Sequence, residues 1–280
     1  MDREPIDLEL CGTRVSAVSW AGVETCIGLP GLKLCFDIGR GTPASVRYST
    51  VLFTHGHVDH TGGVAHHCGT RTMRRLGAPT YYIPHEHHGA FVAVMEAWRA
   101  LDRAELPCTI HAVGPGDRIE LAKGRHAVAF RAVHRVPTLG YAIVEQRRSL
   151  LPELRGLPGK EIAARHSRGE PVHVEREVVE VAFCGDTTVD VIDQQPLVRQ
   201  ARLLILECTF IDDAISIERA RKTGHVHLDE LIERAHLLEN ERILLTHFSP
   251  RYSPAYIAKT LQSRLPDSLR ERVVPLVRVP

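Results

Sequence analysis

Long hydrophobic runs are absent from this sequence of 280 residues. A membrane-spanning helix needs about 18 or more consecutive apolar residues, and no stretch meets that requirement, so we expect no membrane partner. The first residues, MDREPIDLEL, also lack the apolar core of a secretory signal peptide. Together these two absences predict a cytoplasmic protein.

A disulfide framework is missing as well. The chain has seven cysteines, an odd number with irregular spacing, and most of them stand in apolar stretches, which is typical of reduced core thiols in a cytosolic protein. Charge of one sign is not in excess, and a net charge of +1 neither requires nor excludes an anionic partner. With 44% hydrophobic and 25% charged residues, the composition is that of a globular protein with an ample core.

Histidine, by contrast, is abundant. The chain contains 17 histidines, and the densest group lies in LFTHGHVDHTGG, residues 52–63. Four potential metal ligands follow one apolar strand that ends at Phe53 or Thr54: His55, His57, Asp59 and His60. Catalytic zinc sites take nitrogen and oxygen ligands and leave one position for water. The two alternating histidines suit part of one metal site, and the Asp-His pair suits part of a second.

Strand-like runs alternate with amphipathic stretches along the chain. The predicted strands are RVSAVSW, ETCIGL, LKLCFDIG, TVLFTH, DRIEL, HAVAFRAV, GYAIVEQ, VVEVAFCGD, RLLILECTF and RILLTHF. Helices are predicted in HEHHGAFVAVMEAWRAL and LDELIERAHLL, and a final helix begins after Ser253 as N-cap. The first of these helices should bury one apolar face, made of Phe91, Val94, Met95 and Trp98.

Each half of the chain runs through strands and then helices. This order predicts an α/β fold, an αββα sandwich of two face-to-face mixed β-sheets flanked by helices. We expect a single domain over residues 1–280. One polar segment, at about residues 147–172, has little periodicity and is predicted to be an irregular insertion.

Further metal ligands are needed, because four side chains cannot complete two metal sites. Three candidates stand at the carboxyl ends of apolar runs: His134, Asp186 and His247. One aspartate that bridges two metals, with one more histidine on each, would complete a two-metal site of the kind that hydrolyses phosphoryl or carbonyl centres. Taken singly, each of the three could instead be a cap or a surface turn.

Other histidine groups are interpreted as structural or solvent-facing. Residues 84–88, PHEHH, open the first predicted helix and lack the i, i+4 histidine spacing of a zinc-binding helix. The same interpretation is given to His66, His67 and His126.

The spacing of these motifs resembles the metallo-β-lactamase superfamily and, more narrowly, ribonuclease Z, the tRNA 3′-end processing endonuclease. The segments that carry the resemblance are THGHVDHTGG, HRVPTLGY (134–141), AFCGDTT (182–188), ECTFIDD (207–213), GHVHLDE (224–230) and LTHFSPRY (245–252). The stretch ETCIGLPGLKLCFDIGR (24–40) is closest to the short plant-type form. The resemblance covers nearly the whole chain.

The resemblance implies a specific ligand set and a specific catalytic pair. One metal would be held by His55, His57 and His134, and the other by Asp59, His60 and His247, with Asp186 between them. Asp59 would also orient or deprotonate the attacking water. Glu207 and His225 would protonate the leaving oxygen; His225, rather than His227, stands at the family's spacing from His247. A structural hydrogen bond between Glu207 and His225 is the alternative.

The resemblance further implies precursor tRNA as substrate, an arm that grips it, and a homodimer. Here the arm is short, since Asp186 follows His134 by only 52 residues (186 − 134), and residues 156–172 resemble its tip. The expected function is a dinuclear-zinc endoribonuclease, with Mn²⁺ or Fe²⁺ as possible metals because these ligands accept several. The alternatives are a hydrolase of small esters, thioesters or phosphodiesters on the same fold, and a non-catalytic binding relative.

Overall fold

The strands form two seven-stranded sheets within residues 4–122 and 124–278, the part of the chain that this computed structural model describes. Neighbours in each sheet follow the order of the chain. The first sheet contains β1 (Ile6–Leu10), β2 (Thr13–Trp20), β3 (Glu24–Leu29), β4 (Leu34–Phe36), β5 (Thr50–Leu52), β6 (Thr80–Pro84) and β7 (Thr109–Val113). Its first four strands pair antiparallel and β4 to β7 pair parallel, so the sheet is mixed.

The second sheet is also mixed. It contains β8 (Arg118–Leu121), β9 (Arg125–Ala132), β10 (Thr138–Leu150), β11 (His173–Phe183), β12 (Leu203–Glu207), β13 (Arg242–Thr246) and β14 (Val273–Pro275). Strands β8 to β11 pair antiparallel, and β11 to β14 pair parallel. Because β9 and β11 both run antiparallel to β10, the carboxyl ends of β9, β11, β12 and β13 lie at the same edge.

Helices connect and cover the sheets. They are α1 (Val58–Thr61), α2 (Val64–Met73), α3 (His85–Asp102), α4 (Gly159–Ser167), α5 (Asp190–Gln194), α6 (Pro196–Gln200), α7 (Ile217–Thr223), α8 (Leu228–Glu233), α9 (Pro254–Arg264) and α10 (Asp267–Arg270). Short 3-10 turns occupy Pro30–Leu32, Ser45–Arg47, Pro152–Leu154 and Ala235–Leu237. Within the described residues, no helix has the length and apolar character needed to cross a membrane.

Two hydrophobic clusters place the sheets face to face. Successive side chains of a strand point to opposite faces. In β12, Leu203 and Ile205 pack in one cluster with Phe36 of the first sheet, whereas Leu204 belongs to a second cluster that includes Met95 of α3. Each fully buried side chain of this size contributes about 1.5–3 kcal/mol. The predicted sandwich of two sheets with helices on the outside is therefore confirmed.

Helix α3 confirms one prediction and corrects another. Phe91 and Met95 are buried as predicted, but Val94 and Trp98 are 48% and 43% exposed. The predicted apolar face is wide, and only its central pair, Phe91 and Met95, is buried against the sheet. Val94 and Trp98 form an apolar surface next to α1.

The segment at residues 147–172 is more regular than predicted. Strand β10 continues to Leu150 and pairs with β11 from His173 onward, so the two strands form a long hairpin. Helix α4 lies at its tip, and the buried side chains of Leu154 and Val172 hold the connection together. The prediction of an irregular insertion was wrong, because cross-strand ion pairs support a regular hairpin where hydrophobic periodicity is weak, as between Arg147 and Glu180.

The end of the chain holds more structure than the sequence predicted. Helix α9 begins as expected: the Ser253 hydroxyl accepts a hydrogen bond from the Tyr256 backbone N–H, 3.2 Å away. Ile257 and Leu261 are buried, but Tyr256 is largely exposed. Helix α10 and strand β14 follow α9, so it is not the last element.

Candidate functional site

One edge of the sandwich collects the predicted functional residues. Strand β5 ends at Leu52 and delivers His55 and its neighbours into the loop and into α1. From the second sheet, four residues reach the same edge at or just past the ends of β9, β11, β12 and β13: His134, Asp186, Glu207 and His247. In α/β sheets, ligands bind outside the carboxyl ends of the strands.

The first group of possible metal ligands contains His55, His57, His134 and Asp186. Each offers one ligand atom, and these atoms lie within 4.8 Å of one another. The Nε2 atom of His55 is 2.9 Å from Nδ1 of His57, and the ring of His134 lies 5.2 Å from each of their rings. Two imidazoles from the β5 loop thus meet one imidazole and one carboxylate from the other sheet.

The second group contains Asp59, His60 and His247, whose ligand atoms again lie within 4.8 Å of one another. Asp186 reaches both groups with different oxygens. Its Oδ1 lies 3.4 Å from His60 Nε2 and 3.3 Å from His247 Nε2, while its Oδ2 lies 3.9 Å from His55 Nε2. The structure brings all seven predicted ligands together, with Asp186 between the two groups.

The outer nitrogens of three histidines are held by hydrogen bonds. His60 Nδ1 donates to Asp37, 2.8 Å away, and His134 Nδ1 donates to the carbonyl oxygen of Gly224, 2.8 Å away. His247 Nδ1 is 3.0 Å from the hydroxyl of Thr209. Such bonds fix the tautomer that leaves the Nε2 lone pair directed at a metal.

These residues fit divalent metal ions. The Nε2 atoms of His60, His134 and His247 are buried and have no hydrogen-bond partner among the described residues. Burial is the largest influence on His55 and His134 and lowers the pKa of each imidazole, which favours the neutral form that binds metals. Buried imidazole nitrogens without protein partners, next to carboxylate oxygens, are the donors that zinc and similar ions bind.

Glu207 lies behind the two groups as a buried hydrogen-bonding centre. Its Oε1 accepts from His225 Nδ1 at 2.8 Å and from the Thr187 backbone N–H at 2.9 Å. Its Oε2 accepts from the hydroxyl of Thr209 at 2.6 Å and from the Val226 backbone N–H at 3.2 Å. One carboxylate therefore joins the loops after β11, β12 and α7.

His225 is positioned by Glu207 and packs against the metal-ligand histidines. Its ring stacks on that of His247 at 5.3 Å and lies 5.1 Å from that of His134. Burial lowers the pKa of His225, but attraction to Glu207 and the hydrogen bond to it outweigh burial and raise the pKa to about 9. A ligand atom of His225 also lies within 4.8 Å of those of Asp186 and His247, so an assay of His225 must include metal content.

The remaining histidines lie elsewhere. His227 is buried; its Nδ1 accepts from the Asp229 backbone N–H as the N-cap of α8, and its Nε2 donates to the Asp212 carbonyl oxygen. Of residues 84–88, Pro84 is buried at the end of β6, His85 and Glu86 are exposed at the start of α3, and His87 and His88 are half-buried. His67 is buried between Tyr81 and the backbone of Tyr48. No possible metal group found in the described residues includes the histidines of 84–88, His66, His67 or His126.

Three supporting residues were not predicted. Asp37 follows β4 directly, Thr209 follows β12, and Gly224 ends α7 with a φ of 80°. The signal for Asp37 was available in FDIG, since a carboxylate just after an apolar strand occupies the same place as His55 and Asp186. Thr209 and Gly224 act through a hydroxyl and a backbone carbonyl, which have no pattern in the sequence.

Comparison with known proteins agrees with the geometry. The model of a beta-lactamase superfamily domain matches residues 39–248. The chain is 33% identical to tRNase Z TRZ1 of Arabidopsis thaliana over 273 residues, 97% of each chain. It is 30% identical to the chloroplastic tRNase Z TRZ2 of that plant over 278 residues, which cover 99% of this chain and 78% of that one.

Solved structures share the fold at low identity. YhfI of Bacillus subtilis, a metallo-beta-lactamase fold protein, matches with a TM-score of 0.61 and 15% identity over 95% of this chain and 96% of that one. The short form of human tRNase Z matches with a TM-score of 0.54 and 22% identity over 89% and 92%.

Fold and site thus define a member of the beta-lactamase superfamily, a class of metal-dependent hydrolases. Within that class the relatives are specific: two plant proteins aligned over nearly the whole chain carry the same name. The chain belongs to the tRNase Z family, also called ribonuclease Z.

Proposed function

We propose that this protein is an endoribonuclease that removes 3′ trailers from precursor tRNA and leaves a 3′-hydroxyl on the tRNA. The observation that carries the proposal is the contact between His225 and Glu207 beside two groups of metal ligands. The thiolate of a thioester leaves without a proton, but a ribose 3′-oxygen is a poor leaving group and needs a proton donor. Precursor tRNA is proposed as the substrate because the chain belongs to the tRNase Z family.

Two Zn²⁺ ions are proposed as the metals. His55, His57 and His134 would hold one, Asp59, His60 and His247 the other, and Asp186 would bridge them. When bound, such ions lower the pKa of water and stabilise the negative charge that develops on a phosphate. Mn²⁺ or Fe²⁺ could take the same ligands.

The protein's own residues handle the protons. Asp59 is the more exposed of the two carboxylates in the ligand groups, and we assign it the role of orienting the attacking water and accepting its proton. A bond forms between the water oxygen and phosphorus as the bond from phosphorus to the 3′-oxygen breaks. His225, kept protonated by Glu207, donates its proton to that departing oxygen. The trailer keeps the phosphate.

The hairpin at residues 147–172 is proposed as the arm that holds the tRNA, within a single domain over residues 1–280. Residues 145–176 hold seven Lys or Arg and five Asp or Glu. Several arginines there are paired, as Arg168 is with Glu170, but Arg155 and Lys160 form no ion pair with any residue in the described ranges. Phosphate contacts from such cations supply most of the affinity for nucleic acid.

A homodimer is also proposed. Six of the seven large exposed hydrophobic side chains of the described residues come from one segment, α1 to α3: Val58, Met73, Leu76, Val94, Trp98 and Leu101. Three of them, Val58, Val94 and Trp98, line one open groove, and a clustered apolar surface of this kind marks an interface. Analytical ultracentrifugation should find a dimer for the native chain and a monomer for Trp98→Glu, while Tyr256→Glu, which changes an equally exposed residue on α9, should remain dimeric.

The cytoplasm is the proposed location. All seven cysteines lie in the described part of the chain and none is in a disulfide, as expected for a reducing compartment.

Competing substrates test the proposal. The metal-reconstituted protein is assayed on a 3′-extended tRNA, on bis(p-nitrophenyl) phosphate and on a thioester. Efficient cleavage of the RNA is expected. Turnover of the thioester or the small phosphodiester with the RNA left intact would assign the protein to small-molecule hydrolysis instead.

A further inference from the structure

Two cysteine side chains meet away from the metal-ligand groups. Cys68 lies in α2 and Cys108 lies just before β7, and Cys108 packs against the hydrophobic cluster that contains Cys68. The Cys68 sulfur is also 3.3 Å from the carbonyl oxygen of Pro107, so it faces the segment that leads into Cys108. Cys68 is fully buried, whereas Cys108 is half-buried.

The guanidinium of Arg99 places a positive charge beside the Cys108 sulfur. Its Nη2 donates to the Cys108 sulfur at 3.3 Å and to the Leu106 carbonyl oxygen at 3.0 Å, and its Nε donates to the Glu105 carbonyl oxygen at 2.8 Å. These bonds fix the guanidinium beside the sulfur. The hydrogen bond from Cys68 and the charge of Arg99 together outweigh burial and lower the pKa of Cys108 to about 7. The thiolate form of Cys108 is therefore favoured relative to that of an ordinary cysteine.

The other cysteines lack this combination. Cys26 and Cys35 also contact each other, but both are buried and burial raises the pKa of Cys35. Cys11 is half-buried like Cys108, yet burial and Glu241 raise its pKa. All seven cysteines lie in the described residues. Of these, only Cys108 combines partial exposure, a hydrogen bond from an arginine and a second cysteine nearby. Reactive thiols occur in such electropositive, partly exposed places.

We propose that Cys108 and Cys68 form a peroxide-sensitive thiol pair, in which Cys108 reacts with hydrogen peroxide and Cys68 then resolves the product to a disulfide. In the first step the Cys108 thiolate attacks one peroxide oxygen, so that an S–O bond forms, the O–O bond breaks and hydroxide leaves. The sulfur becomes a sulfenic acid. In the second step the Cys68 sulfur attacks the Cys108 sulfur, an S–S bond forms and water leaves. Two thiols lose two electrons, and peroxide is reduced to two waters.

The disulfide would connect α2 to the segment that joins α3 and β7. Disulfides in cytosolic proteins are mostly transient and redox-sensing, and a thiol reductant should reverse this one.

Peptide mass spectrometry after peroxide treatment tests the pair. Reduced protein is exposed to hydrogen peroxide, remaining thiols are blocked, and disulfides and sulfenic acids are located. We expect a Cys68–Cys108 disulfide that dithiothreitol reverses. In Cys68→Ser the sulfenic acid should persist at Cys108 and react with dimedone. A Cys26→Ser/Cys35→Ser variant is the matched control and should form the Cys68–Cys108 bond as the native chain does.

A variant of Arg99 separates the electrostatic contribution from simple proximity. Arg99→Gln keeps a donor for the neighbouring carbonyls but removes the charge, and it should slow oxidation of Cys108 about fivefold at pH 7, because raising a pKa of about 7 by about one unit lowers the thiolate fraction from about one half to about one tenth. Equal oxidation rates for Cys108 and Cys11 in the native chain would overturn the proposal. So would oxidation of Cys108 to sulfinic acid while Cys68 remains a free thiol.

Discussion

The Nδ1 atom of His60 lies 2.8 Å from Oδ2 of Asp37, a fully buried carboxylate at the end of β4. Thr54 donates to the same carboxylate twice, from its backbone N–H at 2.8 Å and from its hydroxyl at 2.9 Å. Asp37 therefore joins the end of one strand to the start of the metal-binding loop. It also sets the orientation of the His60 ring, which places Nε2 beside Asp186.

Replacement of Asp37 tests that supporting role. In Asp37→Asn an amide N–H₂ takes the place of one accepting oxygen, so at least one of the three hydrogen bonds must be lost. We expect metal affinity to fall by about 10–100-fold, the usual effect of losing such a partner. Competition with a chromogenic chelator measures this, and Asp102→Asn, at the exposed end of α3, should change nothing. Native affinity in Asp37→Asn would contradict the assignment.

Asp186 should affect both metals because its two oxygens face different ligand groups. Asp186→Ala is expected to lose metal from both sites and to abolish cleavage, whereas His247→Ala should mainly empty one site. Elemental analysis of the purified variants gives the metal content. Two full equivalents on Asp186→Ala would show that the ligand assignment is wrong.

The backbone carbonyl of Gly224 accepts a hydrogen bond from His134, and the two residues are so close that position 224 has no room for a side chain. A Cβ there would lie 2.5 Å from Nδ1 of His134, and φ is 80°. Gly224→Ala should displace His134 and lower kcat/KM by about tenfold or more, since small displacements of reacting groups are costly. Gly77→Ala is the control: φ is 78° with nothing within 4 Å of the Cβ, so it carries the backbone strain without the clash. Equal activity in the two variants would argue against the clash.

The arm should act on tRNA binding alone. Replacing residues 150–172 with a short Gly-Ser linker is expected to raise KM for precursor tRNA by about tenfold or more, because phosphate contacts are lost. Arg155→Glu with Lys160→Glu should act in the same direction without removing the buried Leu154 and Val172. Turnover of a small phosphodiester should stay near native in both. An unchanged KM for precursor tRNA would show that the hairpin does not bind the tRNA.

His225 separates proton donation from metal binding. His225→Ala should keep metal content and tRNA affinity while kcat falls by about 10²–10⁴, the usual contribution of a positioned general acid. The deficit should shrink for a substrate with a nitrophenolate leaving group, which departs without a proton. His227→Ala removes the N-cap of α8 and should cost about 1 kcal/mol of stability, with a much smaller effect on kcat. Loss of metal from the His225 variant would instead show that His225 is a metal ligand.

The sequence predicted the sandwich and the location of the site for one reason. Apolar strands that end in His or Asp are a local pattern, and the carboxyl ends of parallel strands meet at one edge, so His134, Asp186 and His247 could be placed near His55 before any fold was known. Family resemblance added Glu207 and His225, which come from different segments and have no spacing that residue chemistry alone explains.

Other elements were not predicted. Strand β1, IDLEL, has the alternating apolar and charged residues of a half-buried edge strand but is only five residues long, and β6, TYYIP, is equally short and ends in proline. Helix α2, VAHHCGTRTM, carries five polar residues among its ten, so its burial depends on side-chain hydrogen bonds such as that from the Tyr81 hydroxyl to His67. Thr209 and Gly224 support the site through contacts that only the three-dimensional structure reveals.

Mapping the ends of the RNA products tests the central claim most directly. A precursor tRNA with a 3′ trailer, labelled at each end in turn, is cleaved by the metal-reconstituted protein. One cut just after the discriminator base is predicted, with a 3′-hydroxyl on the tRNA and a 5′-phosphate on the trailer. An uncut precursor, or a 2′,3′-cyclic phosphate on the tRNA, would contradict the account.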